Sequence, residues 1–144
     1  MRLGIVASRF NEEISGELLK RARAEATKLG AETTVTRVPG ALEIPAALQW
    51  LAQSGRYDAL VALGVVIRGE TYHFEVVSNE SARGVMDVAL DFGLPVANGI
   101  LTTEDEDQAW ARARISEGDK GGGAARACLD LIALRKRLRL GLGA

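Results

Sequence analysis

Ala62-Leu-Gly-Val-Val-Ile-Arg-Gly-Glu-Thr-Tyr-His73 carries an apolar run into a polar turn and ends on the chain's single histidine. The run begins at Ala59 and continues to Ile67 with small and β-branched residues, the composition of a strand covered on both faces, as parallel strands in α/β domains are. Arg68-Gly69-Glu70-Thr71 breaks it, and an apolar pattern of helical period follows. Strand, glycine turn and helix in this order present backbone N–H groups to an anion, because the first N–H groups of a helix have no partner within it.

The same alternation runs along the chain. Arg2 to Ser8 reads as a first strand, and Asn11 is placed to cap a helix that carries Leu18, Leu19, Ala22, Ala26 and Leu29 on one face and stops at Gly30. Thr33 to Val38 is a second strand. Pro39-Gly40-Ala41 turns the chain into a helix with Pro45 in its first turn and Leu48, Trp50 and Leu51 along it. Beyond His73, Phe74, Val77, Val85, Val88 and Phe92 predict a helix ending near Gly93, and Pro95 to Leu101 a fourth strand. Thr103-Glu-Asp-Glu106 matches a capping box for a helix from about Glu104 to Arg114. Gly118-Asp-Lys-Gly-Gly-Gly123 reads as an interruption before a last helix, Ala124 to Leu140. No change of composition marks a linker, and 144 residues suit one core, so a single domain over residues 1–144 is expected. Alternation on this scale implies right-handed crossovers, hence α/β architecture: a three-layer sandwich around a four-stranded parallel sheet with flavodoxin-like winding. Ligands of such sheets lie beyond the carboxyl ends of the strands.

Charge and composition narrow the partners. Lys and Arg number 18 against 19 Asp and Glu, a formal net charge of -1, so no global field draws the chain to nucleic acid or an anionic membrane. The basic run Arg135-Lys-Arg-Leu-Arg139 ends a helix pattern, where cations suit the helix dipole. Cys128 stands alone among alanines and leucines and reads as a core thiol. No apolar stretch approaches ~20 residues, and Met1-Arg-Leu-Gly-Ile-Val leads straight into a strand, so a soluble cytoplasmic protein is expected.

Chemistry concentrates at the turns. His73 is a candidate proton carrier because imidazole titrates near neutral pH, although a single histidine beside aromatics also serves as a packed or surface residue. Gly69-Glu70-Thr71 could hold a phosphate through backbone N–H groups and a hydroxyl, or be only a turn. It is not a Walker A loop, and no G-x-G-x-x-G follows the first strand. One histidine and one distant cysteine argue against a metal site. Arg112 and Lys120 could complete an anion site or be solvated helix-end charges. Asn11 and Glu43 sit at strand-to-helix turns and suit ligand hydroxyls, while Phe10 reads either as a stacking face or as core.

Five stretches together resemble the lumazine synthase family. They are Ser8-Arg-Phe-Asn11, Val38-Pro-Gly-Ala-Leu-Glu-Ile-Pro45, Gly64-Val-Val-Ile-Arg-Gly-Glu-Thr-Tyr-His-Phe74, Asn98-Gly-Ile-Leu-Thr-Thr-Glu104, and Gln108-Ala-Trp-Ala-Arg-Ala113 with Gly118-Asp-Lys-Gly121. The resemblance implies an enzyme that condenses 5-amino-6-(D-ribitylamino)uracil with 3,4-dihydroxy-2-butanone 4-phosphate, releasing phosphate and water, with no metal or redox cofactor. It implies His73 as the catalytic proton carrier, Gly69, Glu70 and Thr71 with Arg112 as the phosphate grip, and Phe10 as the ring-stacking aromatic. Asn11, Ala41, Leu42 and Glu43 would read the ribityl chain, Val66, Ile67 and Asn98 would meet the ring, and Lys120 would enter with Arg112 from a neighbouring subunit. A homo-pentamer is implied, with a 60-subunit icosahedral shell and riboflavin synthase as a further partner. Ala111, Asn98, Asp119 and Tyr72 depart from the family's frequent residues and bear on fine specificity. The competing readings are a flavin- or nucleotide-holding domain on the same sheet, and a catalytically silent shell-forming or ribityl-binding protein.

Overall fold

The computed structural model describes residues 1–141, so the last three residues of the expected domain lie outside the described residues. The elements in order are β1 (Arg2–Ser8), α1 (Glu12–Lys28), β2 (Glu32–Val38), a 3₁₀ turn (Ala41–Glu43) running into α2 (Ile44–Ser54), β3 (Ala59–Ile67), α3 (His73–Phe92), β4 (Val96–Thr103), α4 (Glu106–Ala113) and α5 (Lys120–Arg139). All pairings are parallel and the sheet order is β2-β1-β3-β4. The chain steps outward from β1 to β2, then back across β1 to β3, so the winding reverses between β1 and β3. This is the flavodoxin-like arrangement expected from the sequence.

Burial explains the composition of each strand. The central strands β1 and β3 are buried along nearly their whole length, which is why they lack polar alternation. Edge strand β4 alternates buried and exposed positions instead. Two apolar layers cover the sheet. Leu18, Ala22 and Ala26 of α1, Ala109 and Ala113 of α4, and Ala125, Cys128 and Ile132 of α5 form one. Ile44 and Leu48 of α2 pack with Val77, Val85 and Val88 of α3 in the other. Cys128 donates a hydrogen bond to the Leu60 carbonyl at 3.1 Å, and burial pushes its thiol up to about 12, so it is the inert core residue expected. No helix among the described residues is long and apolar enough to cross a membrane.

The structure moves several boundaries. β4 runs to Thr103, two residues past the expected end, because Val66 and Ile67 of β3 pair with Thr102 and Thr103. With Thr103 in the strand, the cap of α4 shifts to Asp105. Its carboxylate accepts the Gln108 N–H at 2.8 Å, and the Gln108 side chain accepts the Glu104 N–H at 2.8 Å. Asn11 occupies the N-cap position of α1 at φ 54 without a side-chain cap bond, and its carbonyl accepts the Ile14 and Ser15 N–H groups instead. Leu29, Trp50 and Phe92, placed by periodicity on apolar faces, are exposed.

The largest correction concerns Gly121-Gly122-Gly123. These residues do not lie in the break ahead of the last helix; they belong to its first turn, so α5 starts at Lys120 rather than Ala124. A Cβ on Gly121 would overlap the Leu18 carbonyl, so glycine here lets α5 lie backbone against backbone on α1. Gly121→Ala sets a helix-propensity gain of about 1 kcal/mol against overpacking into a backbone that cannot yield. A net loss of about 2 kcal/mol is expected in urea unfolding; a stabilised variant would show that the helices do not need this approach.

Candidate active site

The turns after β1, β2 and β3 enclose a cavity of about 500 Å³. Val65, Val66 and Ile67 of β3 form its floor, with Pro39 to Glu43 on one side and Gly69, Thr71, His73, Phe74 and Val77 on the other. Phe10 lies across its mouth, 60% exposed, so the core reading of this ring is wrong for the free chain. Backbone bonds fix the mouth: Arg9 N–H donates to the Val38 carbonyl at 2.8 Å and Phe10 N–H to the Pro39 carbonyl at 3.1 Å. The lining is mostly apolar with a few polar groups, the usual make-up of a small-molecule site. It lies where the strand order reverses, as parallel sheets place their ligands.

The anion turn is built by the start of α3. His73 is the first residue of that helix, and its N–H donates to the Thr71 hydroxyl oxygen at 3.3 Å. The Thr71 proton is then free to point at a ligand. The N-cap residue Tyr72 makes no side-chain cap bond; its carbonyl takes the Glu75 and Val76 N–H groups, which leaves the Phe74 N–H of the first turn to whatever enters the cavity. Ala41, Leu42, Glu43, Val66, Ile67, Gly69, Thr71, His73 and Phe10 thus share one cavity. Asn11 and Glu70 are not among its lining residues, although the Asn11 side-chain nitrogen is buried without a hydrogen-bond partner.

Asn98, Arg112 and Lys120 lie elsewhere. They line a second cavity of about 560 Å³ between β4 and the α4–α5 connection, and the two cavities have no lining residue in common. Arg112 is tied by one nitrogen to the Gln108 carbonyl at 3.0 Å. Gly118 brings the connection onto α4: its N–H donates to the Ala111 carbonyl at 2.8 Å, and a Cβ there would stand 2.9 Å from the Arg112 Cα. Asn98 accepts the Ile100 N–H at 2.9 Å, leaving its own amide N–H groups for a ligand.

Two charge clusters flank these cavities, and the sequence reading assigned neither. Arg68 stacks over the Phe74 ring at 4.3 Å, bonds Glu104 at 2.6 Å and pairs with Glu75. Arg68 holds the Glu75 carboxyl below its ordinary range. Near the second cavity, Asp119 sits in the left-handed region at φ 45, which short polar residues tolerate. Arg21 grips it with two bonds of 2.9 and 3.1 Å, and Arg126 bridges Glu25 at 3.1 Å. Burial alone would raise the Asp119 pKa, but Arg21, the Gly122 N–H and Arg126 together bring it below the ordinary value. A lowered folded-state pKa means stability present above the unfolded value of 3.8 and lost as pH falls below it. Asp119→Asn should therefore flatten part of the fall in Tm between about pH 5 and 3; parallel curves for variant and parent would count against this.

A cavity at the switch point of a parallel sheet, apolar within and edged by an uncapped helix start and one imidazole, defines a doubly wound α/β protein with a small-molecule site. Comparison with known proteins narrows the class. The family model for 6,7-dimethyl-8-ribityllumazine synthase matches residues 1–136. Proteins of that name are similar along most of their length. That of Nitrosomonas europaea is 58% identical over 135 residues, covering 92% of this chain and 80% of the relative. That of Cupriavidus pinatubonensis is 56% identical over 137 residues, covering 93% and 80%, and that of Agrobacterium fabrum 52% over 139 residues, covering 93% and 94%. The chain belongs to the 6,7-dimethyl-8-ribityllumazine synthase family.

Proposed function

We propose that this chain is a 6,7-dimethyl-8-ribityllumazine synthase of riboflavin biosynthesis whose active site is completed by a neighbouring copy. It condenses 5-amino-6-(D-ribitylamino)uracil with 3,4-dihydroxy-2-butanone 4-phosphate. The observation that carries the shared site is the separation of His73 from Arg112 and Lys120 into two cavities of one chain. A second copy placed so that its β4–α5 cavity meets the β3–α3 cavity would bring imidazole, anion turn and cations together. Head-to-tail contacts of this kind close into rings, and the homo-pentamer is the ring that the family resemblance implies. A 60-subunit shell, association with riboflavin synthase, a cytoplasmic location and a single domain over residues 1–144 belong to the same reading.

The roles follow from chemistry. The pyrimidine amine attacks the ketone, water is lost to give the imine, phosphate leaves, and the ribitylamino nitrogen closes the ring on the remaining carbonyl with loss of a second water. Each step moves a proton, and His73 at the cavity edge is placed to carry it. Gly69, Glu70, Thr71 and the start of α3 offer the phosphate donors, with Arg112 as the partner's cation. Phe10 supplies a face for the pyrimidine ring, while Ala41, Leu42 and Glu43 serve the ribityl hydroxyls, joined by Asn11 from outside the lining, and Val66, Ile67, Asn98 and Lys120 serve the ring side. Holding two substrates in contact contributes acceleration without further groups.

Mixing the purified protein with both substrates should generate lumazine fluorescence, with light scattering giving a particle larger than one chain. Ribityl ligand binding without fluorescence would support the silent binding protein instead. A stable monomer that is fully active would remove the shared site.

A further inference from the structure

Two carboxylates stand beside the Gly69–Thr71 turn of the proposed phosphate grip. Glu75 belongs to the first turn of α3, directly behind Gly69–Thr71, and Glu104 follows the last residue of β4. Uncompensated, both would repel a dianion arriving at the turn. Arg68 stands between them. Its backbone N–H donates to the Thr103 carbonyl at 2.9 Å, extending the β3–β4 pairing, and its guanidinium bonds Glu104 at 2.6 Å and Glu75. The guanidinium carbon lies over the Phe74 ring, 4.3 Å from its centre, a cation–π contact with the first turn of α3. Phe74 also lines the cavity, so the clamp and the site share a wall.

We propose that Arg68 is a positioning residue for phosphate binding: it cancels Glu75 and Glu104 and pins the Gly69–Thr71 turn to the end of β4. The inference rests on the phosphate-turn reading above. Its geometry separates three functions that a surface ion pair would not combine. The two carboxylates come from different parts of the chain, the Phe74 ring lies under the guanidinium, and the backbone bond joins the cluster to the sheet. Both Arg68 and Glu104 are partly exposed, so the cluster contributes little to global stability and its removal leaves the fold intact.

The test uses the full-length chain with both substrates and inorganic phosphate. Inorganic phosphate should compete with 3,4-dihydroxy-2-butanone 4-phosphate in the parent protein; absence of competition would overturn the phosphate-turn reading and this inference with it. Given competition, Arg68→Met should raise KM for the phosphate substrate about tenfold, the scale of one charge-assisted contact, and weaken inorganic phosphate similarly. KM for the ribityl substrate should change less than about twofold, and Tm should stay close to the parent's. Adding Glu75→Gln and Glu104→Gln to Arg68→Met should recover most of the phosphate affinity, and Arg68→Lys should keep more of it than Arg68→Met. A triple variant as weak as Arg68→Met would show that Arg68 touches phosphate itself. Equal loss for both substrates, or none, would show a structural residue without this role.

Discussion

Changing Arg112 to alanine should raise KM for 3,4-dihydroxy-2-butanone 4-phosphate about a hundredfold, roughly 2.7 kcal/mol, while leaving KM for the ribityl substrate nearly unchanged. The size follows from losing a charged donor to a phosphate. The selectivity follows from position, since among the described residues Arg112 has only the Gln108 carbonyl as a hydrogen-bond partner and no part in the cavity of Phe10 and Glu43. Co-expression makes the effect diagnostic. Particles mixed randomly from Arg112→Ala and His73→Ala chains would contain about a quarter of sites with both halves intact, if each site draws its halves from two copies. Activity well above either parent variant is the expected result. Additive activity with no gain would place both residues in one chain's site.

His73→Ala should lower kcat about a hundredfold, the low end of what a positioned proton carrier contributes, and leave both KM values within a few-fold. The residual rate is expected to be measurable because the uncapped start of α3 and the apolar floor still hold the two substrates together. Parent kinetics in this variant would take His73 out of the mechanism. A simultaneous rise in KM for the phosphate substrate would instead mark His73 as part of the anion grip, a reasonable alternative for the first residue of that helix.

Periodicity and composition located β3 to the residue, because a buried parallel strand has no polar positions to blur its ends. They misplaced features set by contacts distant in sequence. The end of β4 depends on its pairing with β3, and the cap of α4 moved once Thr103 was taken into the sheet. The glycines after Lys120 look like a breaker until α1 is laid against them. Helical spacing also could not tell Leu48, which is buried, from Trp50, which is 67% exposed. At the site, the residue motifs and the resemblance led to His73, the Gly69 turn, Arg112 and Lys120. The ion pairs of Arg68 and Asp119 stayed silent because the partners, Glu104 and Arg21, lie 36 and 98 residues away and share no motif with them.

Asn98 has a second effect. β4 is the outer strand of the sheet, and the N–H of Ile100 on it is taken by the Asn98 side chain rather than by another strand. An unpaired edge invites a further strand from any passing chain. Here one hydrogen bond that such an intruder would need is already made, so the residue that borders the second cavity also blunts the open edge of the sheet.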